Sequence, residues 1–207
     1  IVAKDELDFP PGSDFGYSSY GYNVLGLLIE KQSGLAYADY LREHVWEPAG
    51  MEHTSVEEAG KDYPGKSVRY HLRKPGKFRV DDKNDLSDRI PGGGVQSTVA
   101  DLLKFGDALL QGKLISAEHF TAMSTDNGRK KEGNPYGLGL YLYGPRPGVG
   151  EVVGHNGAQL GCSAVMLFIP ERKTTVVVLS NTSRALDRVF PATVKLLDAV
   201  SQIGKGE

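Results

Sequence analysis

Gly154-His155-Asn156-Gly157-Ala158-Gln159-Leu160-Gly161 runs straight into the apolar stretch Cys162–Ile169, then Pro170–Lys173, then a second apolar stretch, Thr174–Asn181. The two stretches carry β-branched residues and flank a short Pro/charged connection, which is the pattern of a β-hairpin. The glycines just ahead of it let backbone N–H groups come close to a ligand. Further out, 137–143 and 150–155 are strand-like, with Gly148-Val149-Gly150 as the turn between them. The short connections predict antiparallel neighbours. No partner strands for this sheet are visible earlier in the chain, so an exposed edge is expected.

The rest of the chain is punctuated by glycine and proline. Residues 1–16 form a polar loop around Phe9-Pro10-Pro11-Gly12. Val24, Leu25, Leu27, Leu28 and Ile29 predict a buried helix from Tyr20 to Gln32, closed near Gly34. Residues 35–46 predict a second helix with Leu35, Tyr37, Tyr40, Leu41 and Val45 inward, ended by Pro48 and Gly50. Residues 57–90 are polar, with a short hairpin around Lys74-Pro75-Gly76, and are expected as an excursion over the site. Ser97 or Thr98 caps a helix through Leu110, and Ser116 starts a further short one. Residues 183–202 close the chain as a helix capped by Ser183, in which Pro191 must sit in the first turns or kink it.

Composition bounds the function. At 207 residues the chain has ample core for one domain or a little more. A net charge of −2 provides no broad attraction to nucleic acid or to an anionic membrane. The short basic cluster Arg129-Lys130-Lys131 reads as a solvated loop. Glycine supplies 26 residues, about twice the usual share, which favours strands and tight loops over a helical bundle. Cys162 is the sole cysteine, so no internal disulfide forms. No apolar run reaches the ~18 residues of a membrane span, and no signal peptide is visible. The chain starts with Ile1, and an upstream segment is expected to have been removed or left out. No His-Glu-x-x-His or Cys/His cluster suggests a metal, and no cofactor is expected.

Two constellations carry chemistry. In Pro11-Gly12-Ser13-Asp14-Phe15-Gly16-Tyr17-Ser18-Ser19-Tyr20-Gly21-Tyr22, a tyrosine sits in a loop just before a helix. Ser18 or Ser19 alone reads as that helix's cap. The helix N-terminus would also stabilise a nearby phenolate, and a phenol with an ordinary pKa of ~10 serves as a general base only when cations depress it. In His155-Asn156-Gly157-Ala158, a polar strand end meets a glycine, and a single histidine there is as often structural as functional.

The ordered set resembles the serine β-lactamase and penicillin-binding-protein-like family, in its class C-like, His-x-Gly form. The first segment is similar to the family's Pro-Gly…Tyr-Ser-Asn…Gly-Tyr, and the second to its Lys-Thr-Gly strand. Gly92-Gly93-Gly94-Val95-Gln96-Ser97-Thr98-Val99-Ala100-Asp101-Leu102-Leu103-Lys104-Phe105 is similar to its Gly-Gly…Ser-Thr…Asp-Leu…Phe loop and helix. Phe9-Pro10-Pro11-Gly12 and Leu102-Leu103-Lys104-Phe105-Gly106 resemble the mitochondrial lactamase-β-like branch, a filament-forming protease-like protein. By this resemblance Tyr17 is the catalytic tyrosine and the Ala158 N–H an oxyanion donor. Ser19 (where Asn is usual), His155, Asn156 and Gly157 contact substrate. Asn offers a carbonyl and an amide where serine offers one hydroxyl. Histidine in place of lysine removes a permanent cation that would hold a substrate carboxylate.

The implied fold is α/β, an antiparallel β-sheet flanked by helices, with its N-terminal part missing. Residues 1–130 would be a mainly helical and loop half, and 131–207 the sheet plus a C-terminal helix. The implied reaction is acyl transfer on a small ester, peptide or β-lactam-like substrate. The family's nucleophile, Ser-x-x-Lys, is absent: none of the fourteen serines has lysine three residues on. The family's order places it upstream, so the expected partner is an N-terminal segment or chain carrying it. A homo-oligomer and a periplasmic, secreted or mitochondrial location are compatible with the resemblance. The competing expectation is a catalytically inactive binding or scaffolding relative.

Overall fold

A computed structural model describes residues 6–202 apart from 59, 62, 75, 81–84 and 132. In chain order its elements are α1 (Ser19–Ser33), α2 (Tyr37–Leu41), which runs through a π-turn at Arg42–Trp46 into α3 (Glu47–Ala49), and then the strands β1 (Ser55–Val56), β2 (Tyr70–Lys74), β3 (Lys77–Val80) and β4 (Val95–Gln96). Helices α4 (Val99–Leu110) and α5 (Ala117–Met123) follow, then β5 (Lys130–Lys131), β6 (Asn134–Pro135), β7 (Tyr141–Arg146), β8 (Gly150–Gln159), β9 (Cys162–Ile169), β10 (Thr174–Ser180) and α6 (Leu186–Val200).

Strands β10-β9-β8-β7 form one antiparallel sheet in that order. Its two faces are both buried, which explains the near-continuous apolar runs. Val152, Val165, Leu167, Ile169 and Val176 pack against Val189 and Leu197 of α6. On the other face Val153 and Phe168 meet Leu109 of α4, with Phe120 and Met123 of α5. Each such side chain, fully buried, contributes roughly 1.5–3 kcal/mol. Helix α4 comes unusually close to β10, because a Cβ at Gly106 would lie 2.1 Å from Thr175 Oγ1. Thr98 caps α4 by accepting from the Asp101 N–H, and the buried Asp101 carboxylate accepts from His53 N–H and Thr54 Oγ1. Ser97 instead pairs with Thr54.

Several expectations are corrected. Helix α1 is not buried: Val24, Leu25, Leu27 and Leu28 are exposed and only Gly26 is buried. Its contact face is set by small residues. A Cβ at Gly26 would sit 2.4 Å from Pro91, and Asn23 Oδ1 accepts from the Gly92 N–H. Apolar periodicity does not reveal a face chosen by close approach. The second helix continues through Pro48, which follows directly on the π-turn at Arg42–Trp46. Gly50, at φ 71°, ends it. Trp46 joins Met51 and Val56 in a third core.

The expected strand 137–143 begins only at Tyr141, because Gly139 has φ 86°. Strand β8 runs on to Gln159 rather than ending at His155. The β2–β3 hairpin is present, with residue 75 outside the described residues. It is tied beyond the end of β10: Tyr70 N–H donates to Asn181 O, and Ser183 N–H donates to Tyr70 O. That hairpin also takes Ser183 away from capping α6. Ser183 Oγ accepts from Leu72 N–H and pairs with His71, while Ser163 Oγ accepts the Ala185 N–H. Pro191 stands inside α6, in its second turn.

Candidate active site

The site forms where the loop before α1 crosses the free half of β8. Ser18, with extended backbone, caps α1 by accepting from the Gly21 N–H. That cap fixes the neighbouring Tyr17. The tyrosine ring, 40% exposed, stacks at 6.3 Å from the His155 ring with 26° between planes. Ser19 is the first residue of α1 and is exposed. Its carbonyl faces Gly92, where a Cβ would lie 2.9 Å away. Thus the first glycine of the Gly92-Gly93-Gly94 loop lets α1 approach closely. At Gly93, a Cβ would lie 2.9 Å from Gln159 Nε2, so this loop bridges the start of α1 and the end of β8.

Register explains what β8 offers. The two-residue Leu160-Gly161 turn makes Gln159 and Cys162 the hydrogen-bonded pair of the β8–β9 hairpin. Pairs then alternate, so Ala158 and Asn156 turn their N–H and C=O groups away from β9. On that side β7 pairs with β8 only as far as Tyr141↔Gly154. Beyond that point the strand edge is open, and Gly157 and Ala158 are both exposed. A Cβ at Gly157 would meet nothing within 4 Å. This face of β8, shared with His155, therefore has room for a ligand. Asn156 points to the opposite face, where its Nδ2 lies 3.4 Å from Tyr143 Oη.

Sequence reasoning missed the hub of the cluster, Tyr136. It is 3% exposed, and its hydroxyl lies 3.0 Å from His155 Nε2. Its ring meets Phe15 at 5.5 Å, Tyr17 at 5.9 Å and Tyr141 at 5.2 Å. Burial, then a hydrogen bond with Tyr22, then the nearby phenols of Tyr22, Tyr17 and Tyr141 push the Tyr136 hydroxyl far above the usual phenol range. It stays a neutral phenol at any working pH. The signal available was Tyr136-Gly137-Leu138-Gly139, an aromatic residue followed by two glycines at the mouth of the sheet, which has no periodicity to register. Among the described residues no His, Cys, Asp and Glu cluster is placed to hold a metal ion, and no helix is long and apolar enough to cross a membrane.

Comparison with known proteins identifies the family. The Beta-lactamase family model matches residues 1–200. The chain is 33% identical to a penicillin-binding protein of Bacillus subtilis, over 84% of this chain and 41% of that protein. It is 30% identical to the human serine beta-lactamase-like protein LACTB, mitochondrial, over 86% of this chain and 37% of that one. Among solved structures, the octameric penicillin-binding protein homologue from Pyrococcus abyssi superposes with a TM-score of 0.75 at 29% identity, covering 93% of this chain and 45% of that one. A D-stereospecific amidohydrolase from a Streptomyces species gives 0.74 at 27% identity, over 86% and 54%. The chain spans about two-fifths of the length of these curated relatives.

Proposed function

The chain belongs to the β-lactamase family, and from that premise we propose that it forms part of a serine hydrolase working through an acyl-enzyme on an ester, peptide or amide substrate. The observation that carries this reading is the meeting of Tyr17 with the open half of β8. A proton-transfer group and a row of outward backbone N–H groups then face one space. In this reading the serine of an upstream Ser-x-x-Lys segment attacks the carbonyl. Tyr17, working with that lysine, takes the serine proton and returns it to the leaving group. The N–H of Ala158 and that of the serine hold the oxyanion, each such donor being worth roughly 3–4 kcal/mol in the transition state. Water then releases the acyl group. Ser19, His155, Gly157 and the outward-turned backbone of Asn156, whose side chain lies on the other face, supply the remaining substrate surroundings.

The exposed apolar residues of α1 support an additional packed segment. Leu25, Leu28 and Ile29 line a groove of about 570 Å³ with Tyr40 of α2, and exposed apolar patches of this kind mark interaction surfaces. We assign residues 1–130 and 131–207 to two halves of one domain that the Ser-x-x-Lys segment completes. Esters and small amides are the preferred substrates over β-lactams, because Ser19 and His155 replace the groups that anchor a β-lactam's amide and carboxylate. The amidohydrolase relative favours the same class. The octameric homologue favours a homo-oligomer.

A second reading is a non-catalytic scaffolding relative; both readings share the fact that no serine of this chain has lysine three residues on. The two part on one experiment. The full open reading frame is expressed and assayed with p-nitrophenyl butyrate and a cephalosporin, beside the 207-residue chain alone. The hydrolase reading expects serine-inhibitor-sensitive ester turnover by the full protein, a lower kcat/KM on the cephalosporin, and none by this chain. A full protein with no Ser-x-x-Lys and no turnover establishes the scaffold instead.

A further inference from the structure

The β2–β3 hairpin concentrates positive charge in a chain whose net charge is −2. From Arg69 to Val80 it holds Arg69, Arg73, Lys74, Lys77 and Arg79, with no Asp or Glu among them. Arg69 is engaged by the buried Glu57, 3.0 Å away. Among the described residues the other four make no ion pair, and all four are exposed. Asp81 and Asp82 follow in sequence, so these four cations still outnumber the adjacent acids. The register also sets Lys74 directly opposite Lys77. Like charges so placed destabilise a strand pair, and an anionic partner would relieve them.

The same hairpin has an apolar face. Residues two apart share a face of a strand. The pairs Tyr70↔Val80 and Leu72↔Phe78 therefore stand side by side, and the rings of Tyr70 and Phe78 meet edge to face at 6.4 Å. The opposite face turns toward the segment after β10, where His71 Nδ1 lies 2.9 Å from Ser183 Oγ. The apolar face looks away from that contact, and Phe78 and Val80 are 54% and 48% exposed. We propose that this hairpin is a membrane-surface contact: Phe78 and Val80 enter the acyl boundary of an anionic bilayer while Arg73, Lys74, Lys77 and Arg79 bind its phosphate headgroups. Clustered cations beside exposed apolar groups suit such a surface, and long Lys and Arg stems reach from the apolar layer to the headgroups. Nucleic acid fits less well. Its bases stack on aromatic rings, whereas the exposed apolar neighbour of Phe78 on this face is the aliphatic Val80. The proposal is independent of the hydrolase reading.

The test is flotation of the full protein with two kinds of vesicle, phosphatidylcholine alone and phosphatidylcholine with about one-third phosphatidylglycerol. Stronger binding to the anionic vesicles is expected, and it should weaken as salt is raised. Phe78→Trp is expected to add blue-shifted emission to the wild-type spectrum, quenched by lipids brominated in their acyl chains. Lys77→Glu separates docking from folding. It sets an opposite charge across from Lys74, so the melting temperature should hold or rise. Its affinity for the anionic vesicles should nevertheless fall by about 10-fold or more. Equal binding to both vesicles, unquenched Phe78→Trp emission, or undiminished affinity of Lys77→Glu each overturns the proposal. The cations would then serve only to keep the outer edge of the two-stranded sheet from pairing with another chain. Binding to single-stranded polyuridylate without acyl-chain quenching would assign the surface to nucleic acid and overturn the proposal as well.

Discussion

Strand β8 behaves as two different strands joined at Gly154. Its first half, 150–154, pairs with β7 along its length and with β9 at Val153 and Gly154, with Val152 on the α6 face and Val153 on the α4 face, both buried. Its second half, 155–159, is paired on one side only, and Gly157 and Ala158 are open to solvent. The two glycines mark the change. A Cβ at Gly154 would lie 2.2 Å from the Met166 carbonyl, whereas one at Gly157 would touch nothing. One half is there to be packed. The other is held in register by β9 so that its free edge faces the Tyr17 loop. A site built this way borrows rigidity from a core that begins one residue away.

Substitutions should separate the halves by size and by kind. The largest effect is expected from Gly154→Ala, because the added methyl meets main chain that cannot move aside. Urea unfolding should show a loss of about 3 kcal/mol, and an unchanged midpoint would erase the distinction drawn here. Tyr17→Phe comes next and belongs wholly to the open half. In the full-length enzyme it should lower kcat by about 10²-fold with the melting temperature unchanged, as for loss of a general acid–base. His155→Ala should cost less, chiefly in KM, since the ring positions and contacts but does not transfer a proton. If His155→Ala costs more in kcat than Tyr17→Phe, those roles are reversed. Gly157→Ala is the smallest: stability within about 0.5 kcal/mol of wild type, with any change confined to KM. Loss of stability there would mean that the open half is packed after all.

How much of this was legible in the chain follows the same division. The hairpins of β8, β9 and β10 were readable because an apolar run between turn residues has few alternatives, and both faces of the sheet are covered. The pairing of Tyr17 with His155 was readable only through the order of motifs. Nothing local joins a loop near the start of the chain to a strand near its end. Tyr136 was not readable, because its role comes from the rings around it. The facing of α1 was hidden for a related reason. Its contacts run through Gly26 and Asn23, while its leucines point outward. Ser183 looked like a helix cap until the β2–β3 hairpin supplied other partners for its hydroxyl.

The meeting of a loop before α1 with the far end of β8 also sets an order of events in folding. Strands β7 to β10 follow one another through short turns, so their contacts close small loops and form early. The contact of Tyr17 with His155 closes a loop of about two-thirds of the 207-residue chain and forms only after both halves exist. Refolding followed by backbone circular dichroism should therefore run ahead of any signal from the Tyr17–His155 stack. During that interval the molecule has a completed sheet whose open edge at 155–159 has nothing opposite it, and this is the stage at which two copies in a concentrated solution would pair edge to edge.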